Sequence, residues 1–187
     1  MARVRSPRAP VPLDAKQLEE LALRYVGRYA TTRAKLTAYL ARKLRERGWE
    51  GQREPELERL ASRFSDLGYV DDAAFALARS RALSSRGYGK RRLEQTLRVA
   101  GIAEADSAAA RDHADEAAVE AALRYARRRR IGPFASGALE PRLREKAIAA
   151  MVRAGHSFAL ARAISGMAPG VEVDVEELRE HCPGASH

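Results

Sequence analysis

The sequence predicts an all-helical protein made of tandem three-helix repeats, three units in all, and three observations carry that expectation. Apolar residues recur at intervals of three and four, and no segment sustains strict alternation with turn chemistry at both ends. Leu44 to Gly48, Leu97 to Gly101 and Met151 to Gly155 each set a large apolar residue four before a glycine, and these glycines are separated by 53 and 54 residues. Aromatic residues make up only 6% of the 187 positions, too few for one large core but sufficient for small modules. A repeat of this length is one supersecondary unit that cannot hide its apolar face alone, so it stacks on its neighbours and leaves a long outer surface.

Residues 1–12 read as a flexible basic arm, with Pro7, Pro10 and Pro12 among Arg3, Arg5 and Arg8. The first repeat spans 13–68. Asp14 with Gln17 forms a capping-box pattern, Leu13 and Leu18 a hydrophobic staple, and Leu18, Leu21, Ala22, Tyr25, Val26 and Tyr29 one apolar stripe. Thr31 or Thr32 caps a second helix that carries Leu36, Tyr39, Leu40 and Leu44 and stops at Gly48. Pro55 opens a third, with Leu57, Leu60, Ala61, Phe64 and Leu67 inside and Gly68 after it.

The second repeat spans 69–112. Asp71 and Asp72 suit a helix N-terminus, Phe75, Ala78 and Ala82 are expected to face inward, and Gly87-Tyr88-Gly89 breaks the chain before Leu93 and Leu97. A short helix within 104–112 has only alanine to anchor it. The third repeat spans 113–167, with Ala118, Ala121, Ala122 and Tyr125 on one stripe, Pro141 opening a helix with Leu143, Ala147 and Met151, and Ser157 capping a last helix with Phe158, Ala161 and Ile164. Residues 168–187 turn acidic and read as a loosely attached tail.

Several chemistries find no support. No G-x-x-x-x-G-K-[ST], G-x-G-x-x-G or H-E-x-x-H pattern is present, and His113, His156, His181 and His187 are scattered. Helix capping accounts for Asp71 and Asp72 more simply than acid–base catalysis does. The expectation is a protein with no catalytic residues, no metal and no cofactor. Cys182 is the single cysteine, and neither an export signal nor an apolar stretch of spanning length is visible, which points to the cytoplasm and away from membranes.

Charge is the remaining signal. The 34 Lys and Arg against 25 Asp and Glu give a formal net charge of +9, so the long-range field attracts polyanions. In the second helix Arg33, Lys35, Arg42, Lys43, Arg45 and Arg47 stand against Glu46 alone, and Lys90, Arg91 and Arg92 open the equivalent helix of the second repeat. Cations at a helix start oppose the dipole, which favours a use other than stability. If the repeats stack, Arg33, Lys35, Arg42, Lys43 and Arg45 continue into Lys90–Arg92 as one basic stripe. Arg127 to Arg130 end a helix, where the dipole already welcomes positive charge.

The segment Gly68-Tyr69-Val70-Asp71-Asp72, followed by Phe75-Ala76, Arg81, Gly87-Tyr88-Gly89, Arg92, Leu97 and Gly101-Ile102, resembles the signature of the RecX family, regulators of the RecA recombinase. The resemblance extends more loosely from Leu13 to Gly166 and implies three tandem three-helix repeats in an elongated, curved array. It further implies a non-enzymatic, monomeric modulator that binds the RecA filament and restrains ATP hydrolysis, strand exchange and co-protease activity, with single- or double-stranded DNA as a second partner of the basic face. Gly68, Tyr69, Asp72, Phe75, Gly89, Leu97 and Gly101 are then scaffold residues. Where the family tends to show Ser-x-x-Glu-Leu, this chain has Thr32, Arg33, Ala34, Lys35 and Leu36: the hydroxyl cap survives and the carboxylate becomes a cation. Short basic helices joined by glycine turns also describe a helix-turn-helix DNA binder, which would be dimeric and selective for sequence.

Overall fold

The computed structural model describes residues 11–138 and 140–182; the predicted basic arm lies outside the described residues except for Val11 and Pro12. Ten α-helices follow one another among the described residues, and the only sheet-like pairing there is an isolated bridge between Leu13 and Trp49. The chain divides after Asp72 into two compact units.

The first unit holds α1 (Ala15–Val26), α2 (Arg33–Arg47) and α3 (Leu57–Asp66). Asp14 caps α1 by accepting the Gln17 N–H at 2.7 Å, while the Gln17 side-chain oxygen accepts from Arg47 at 3.2 Å. Leu13, Leu18, Ala22, Leu36, Leu40, Ala61, Phe64 and Val70 form one buried cluster. The apolar stripes run too far at two ends: Tyr29 and Leu67 are exposed, because each lies past the last turn of its helix, where the chain has left the core-facing phase. Trp49, with its indole N–H donating to the Arg53 carbonyl at 2.7 Å, packs against this cluster, a role the helical periodicity could not show because the residue lies after the helix.

The second unit begins with α4 (Asp72–Ser85, its first residue in the first unit), α5 (Lys90–Val99) and α6 (Ala108–Glu116). The inward face of α4 differs from the expected one. Ala76 and Ser80 are fully buried, whereas Ala78 is exposed. Ser80 donates to the Ala110 carbonyl at 2.8 Å and meets His113 Nδ1 at 2.9 Å. Buried serines whose hydrogen bonds are internal are invisible to an apolar pattern, so the stripe was phased on the wrong residues. The short helix extends to Glu116 and buries Ala110 and Ala114 against Leu93 and Leu97, so the repeat boundary expected after 112 falls inside α6.

Helices α7 (Ala118–Arg129), α8 (Pro141–Arg153) and α9 (Phe158–Gly166) complete the nine. Their core is Val119, Ala122, Tyr125, Ala126, Met151, Leu160, Ala161 and Ile164. Phe158 and Leu143, expected inside, are exposed, and Leu160 takes the inward place. The acidic tail is also corrected. Residues Val175–His181 form α10, capped by Asp174, which accepts from the N–H groups of Glu176 and Glu177 at 3.0 Å. Leu178 and Cys182 belong to the buried cluster, and Arg179 pairs with Glu120 on α7. One leucine and two carboxylates at a helix start are enough to dock a segment whose composition looks unanchored.

The repeat is visible in the helix endings. Gly48, Gly101 and Gly155 follow α2, α5 and α8 with φ of +87°, +71° and +98°. At the latter two the next residue closes the helix, Ile102 N–H on the Leu97 carbonyl at 3.1 Å and His156 N–H on the Met151 carbonyl at 3.2 Å.

Inside the second unit the Gly87-Tyr88-Gly89 segment lies against Gly155-His156. Gly89 N–H donates to the Ala154 carbonyl at 3.0 Å and Arg91 N–H to the Gly155 carbonyl at 3.2 Å. A Cβ on Gly89 would overlap the Gly155 carbonyl, and one on Gly155 would lie 2.5 Å from Arg92 N. His156 is buried, and its Nε2–H donates to the Gly87 carbonyl at 3.1 Å. Burial pushes the His156 imidazole below its ordinary value, only partly opposed by that hydrogen bond.

Candidate polyanion-binding surface

The cations singled out in the sequence fall into two groups. Arg33, the first residue of α2, gives its backbone N–H to Asp72 Oδ1 at 3.0 Å and its side-chain Nε to Asp72 Oδ2 at 3.1 Å, and Asp72 is buried. The carboxylate that the Thr32-x-x-Lys35 start lacks is thus supplied from 39 residues on, while Thr32 Oγ1 accepts the Lys35 N–H at 3.2 Å. Asp72 serves the N-terminus of α2, a role that local sequence could not reveal. Lys90 opens α5 in a similar way, with its ammonium 2.6 Å from Asp115 on α6 and largely covered. Both cations set against a helix dipole are therefore neutralised inside the fold.

Arg42, Arg45, Arg91 and Arg92 are exposed. Arg42 and Lys43 share Glu46, at 3.8 and 2.6 Å, and the Lys43 ammonium holds the Glu46 carboxyl below its ordinary value. Such exposed pairs open readily to a competing anion. Arg42 and Lys43 also lie over the Tyr39 ring, which stacks on Tyr25 with centroids 4.2 Å apart. Tyr25 and Tyr39 with Arg24, Arg28, Arg42 and Lys43 line a groove of about 490 Å³ on the first unit.

The second unit holds cations to which the sequence gave only a helix-end role. Arg128, Arg129 and Arg130, with Arg153 of α8, line a cleft of about 510 Å³. Their chain positions, 23 residues apart at the nearest, hide that convergence. Among the scaffold residues, Gly68 and Gly101 end α3 and α5 at φ of +77° and +71°, and Leu97 is buried. Phe75 is half-buried with Arg79 over its ring, and Tyr69 is exposed with its edge toward Phe64. No group of three or more His, Cys, Asp or Glu among the described residues could hold a metal, and no helix of those residues is long and apolar enough to cross a membrane.

A tandem three-helix-repeat protein with basic faces and a G-Y-V-D-D helix start is thus the class that fold and site define. Residues 71–110 match the profile described as "RecX, second three-helix domain". The chain is 32% identical over 169 residues to the regulatory protein RecX of Myxococcus xanthus, covering 86% of this chain and 90% of that one, and 34% identical over 177 residues to that of Thermobifida fusca, covering 92% and 90%. The crystal structure of RecX from Lactobacillus salivarius superimposes with a TM-score of 0.58 at 18% identity, over 80% of this chain and 92% of that one, a likeness of fold. The chain belongs to the RecX family, whose members are named as regulatory proteins.

Proposed function

We propose that this protein regulates the RecA recombinase by binding, as a monomer, to the RecA filament on DNA, mainly restraining ATP hydrolysis, strand exchange and co-protease activity in recombination and SOS repair. The observation that carries this reading is identity of 32% to a regulatory protein RecX across nearly the whole of both chains. Its physical basis is repetition: several modules, each with a few exposed cations, give many weak contacts that act together on a repeating partner. Arg42, Lys43, Arg45, Arg91 and Arg92 are the contacts assigned to it, as the stripe residues at the surface, while Arg33 and Lys90 hold helix starts.

The test is ATP hydrolysis by RecA on single-stranded DNA with the purified protein added. Inhibition is expected, weakened in Arg91→Glu/Arg92→Glu without loss of helicity. Unchanged hydrolysis with the protein in large excess over RecA refutes the reading, and full inhibition by the charge-reversed variant removes α5 from the contact.

A further inference from the structure

The cleft between the end of α7 and α8 gathers more unneutralised charge than any segment of the predicted stripe. Arg128, Arg129, Arg130 and Arg153 are all exposed around it, and no carboxylate of the described residues pairs with any of them. One cation would satisfy a helix C-terminus, whose last carbonyls are already closed here by Arg130 N–H on Arg127 and Ile131 N–H on Ala126. Four guanidiniums at one concavity repel one another in the absence of a counter-charge.

Two details show that the cluster is held in place. Arg128 donates to the Arg86 carbonyl at 2.6 Å with its guanidinium 5.5 Å from the Tyr125 ring centre, and Arg129 lies 5.9 Å from the same ring. Tyr125 is itself fixed by its hydroxyl donating to the Ala150 carbonyl at 3.2 Å. Arg130 is the only non-glycine among the described residues with positive φ, at +55°. Equivalent helix ends in this chain use glycine, so a long cationic side chain stands where the backbone favours none.

We infer that this cleft is a phosphodiester-binding site that takes the backbone of a nucleic-acid strand without reading its sequence. Arginine forks match phosphate oxygens bidentately, and a row of them suits a row of phosphates. The floor, Ala147, Ala150 and Ala154, is too shallow to seat the apolar anchors by which an acidic peptide would dock. Nucleic acid alone should occupy the site, with no RecA present.

The experiment is fluorescence anisotropy of a labelled single-stranded oligonucleotide of degenerate sequence with the full chain, repeated across a salt series. Arg129→Gln/Arg153→Gln should weaken binding by about tenfold or more at low salt and lower the slope of log affinity against log salt by about 2, one for each lost phosphate contact. Arg130→Gly is the control for structure: it should melt at or above the parent temperature, because glycine fits that backbone, and still bind more weakly. Parental affinity and salt slope in both variants overturn the proposal. So does displacement of the oligonucleotide by polyglutamate as effective as by unlabelled oligonucleotide of equal charge.

Discussion

The two compact units close their cores by different means. The first packs large side chains, Leu13, Leu18, Leu36, Leu40 and Phe64, against one another. The second leans on Ala76, Ala110, Ala114, Ala122, Ala126 and Ala161, and brings backbones together where only glycine fits. A leucine core tolerates some volume change because neighbours relax into a gap, whereas a contact between backbones has nothing that can give way. The alanine-rich half, which looks poorly anchored by composition, is therefore the half most sensitive to a single added methyl group.

That contrast can be broken by substitution. Gly132→Ala places a Cβ against the Ile164 carbonyl at a residue with φ +57°, and should cost about 4 kcal/mol, with hydrogen exchange rising first in α7 and α9. Leu40→Ala in the first unit should cost about 3 kcal/mol in chemical denaturation, with the loss confined to α1–α3 amides. A Gly132→Ala variant as stable as the parent would show that the second core repacks as freely as the first.

Helix starts and stops sharpen the comparison at lower energy. Asp72→Ala removes the carboxylate that holds the Arg33 N–H and should cost about 2 kcal/mol, the upper range for a cap, whereas Asp72→Asn should keep much of the stability by accepting the same bond. Gly68→Ala meets nothing within 4 Å and has only its φ of +77° against it, so a loss of about 1 kcal/mol is expected in an equilibrium melt. If Gly68→Ala proved as costly as Gly132→Ala, backbone conformation rather than close approach would be the governing factor.

The smallest effect is a pH dependence carried by His156. Its folded value lies below the unfolded one, so the unfolded chain binds more protons as pH falls through about 6.5. Stability from this residue is complete above that pH and is lost below it, toward the depressed folded value. Between about pH 7.5 and about pH 6 the loss should stay below about 1 kcal/mol and should vanish in His156→Gln, which retains a donor for the Gly87 carbonyl. An identical pH profile for parent and variant would mean that other groups titrate instead.

Much of the helical order was legible in the chain because its signals are local. The Asp14, Thr32 and Ser157 caps and the stops at Gly48, Gly101 and Gly155 each depend on residues within one turn. The α4 face was not legible, since Ser80 is buried for the sake of partners on α6, 30 and 33 residues away. Nor was the docking of α10, whose anchor is Leu178 against a surface supplied by other helices. The basic residues were visible, but which of them are neutralised was not: Arg33 and Lys90 find carboxylates 39 and 25 residues distant, and Arg153 joins Arg128–Arg130 only through the fold.

By itself the sequence determined helical content, the repeat and its glycine stops, and an excess of positive charge, because periodicity, capping and composition act over a few residues or over none. Tertiary structure alone decided which charges face solvent without a partner and where glycine is required for contact, because both depend on distances between residues far apart in the chain. The difference is physical: a hydrogen-bonded turn is closed by its neighbours, and an electrostatic or steric contact is closed by whatever the packing brings within a few ångströms.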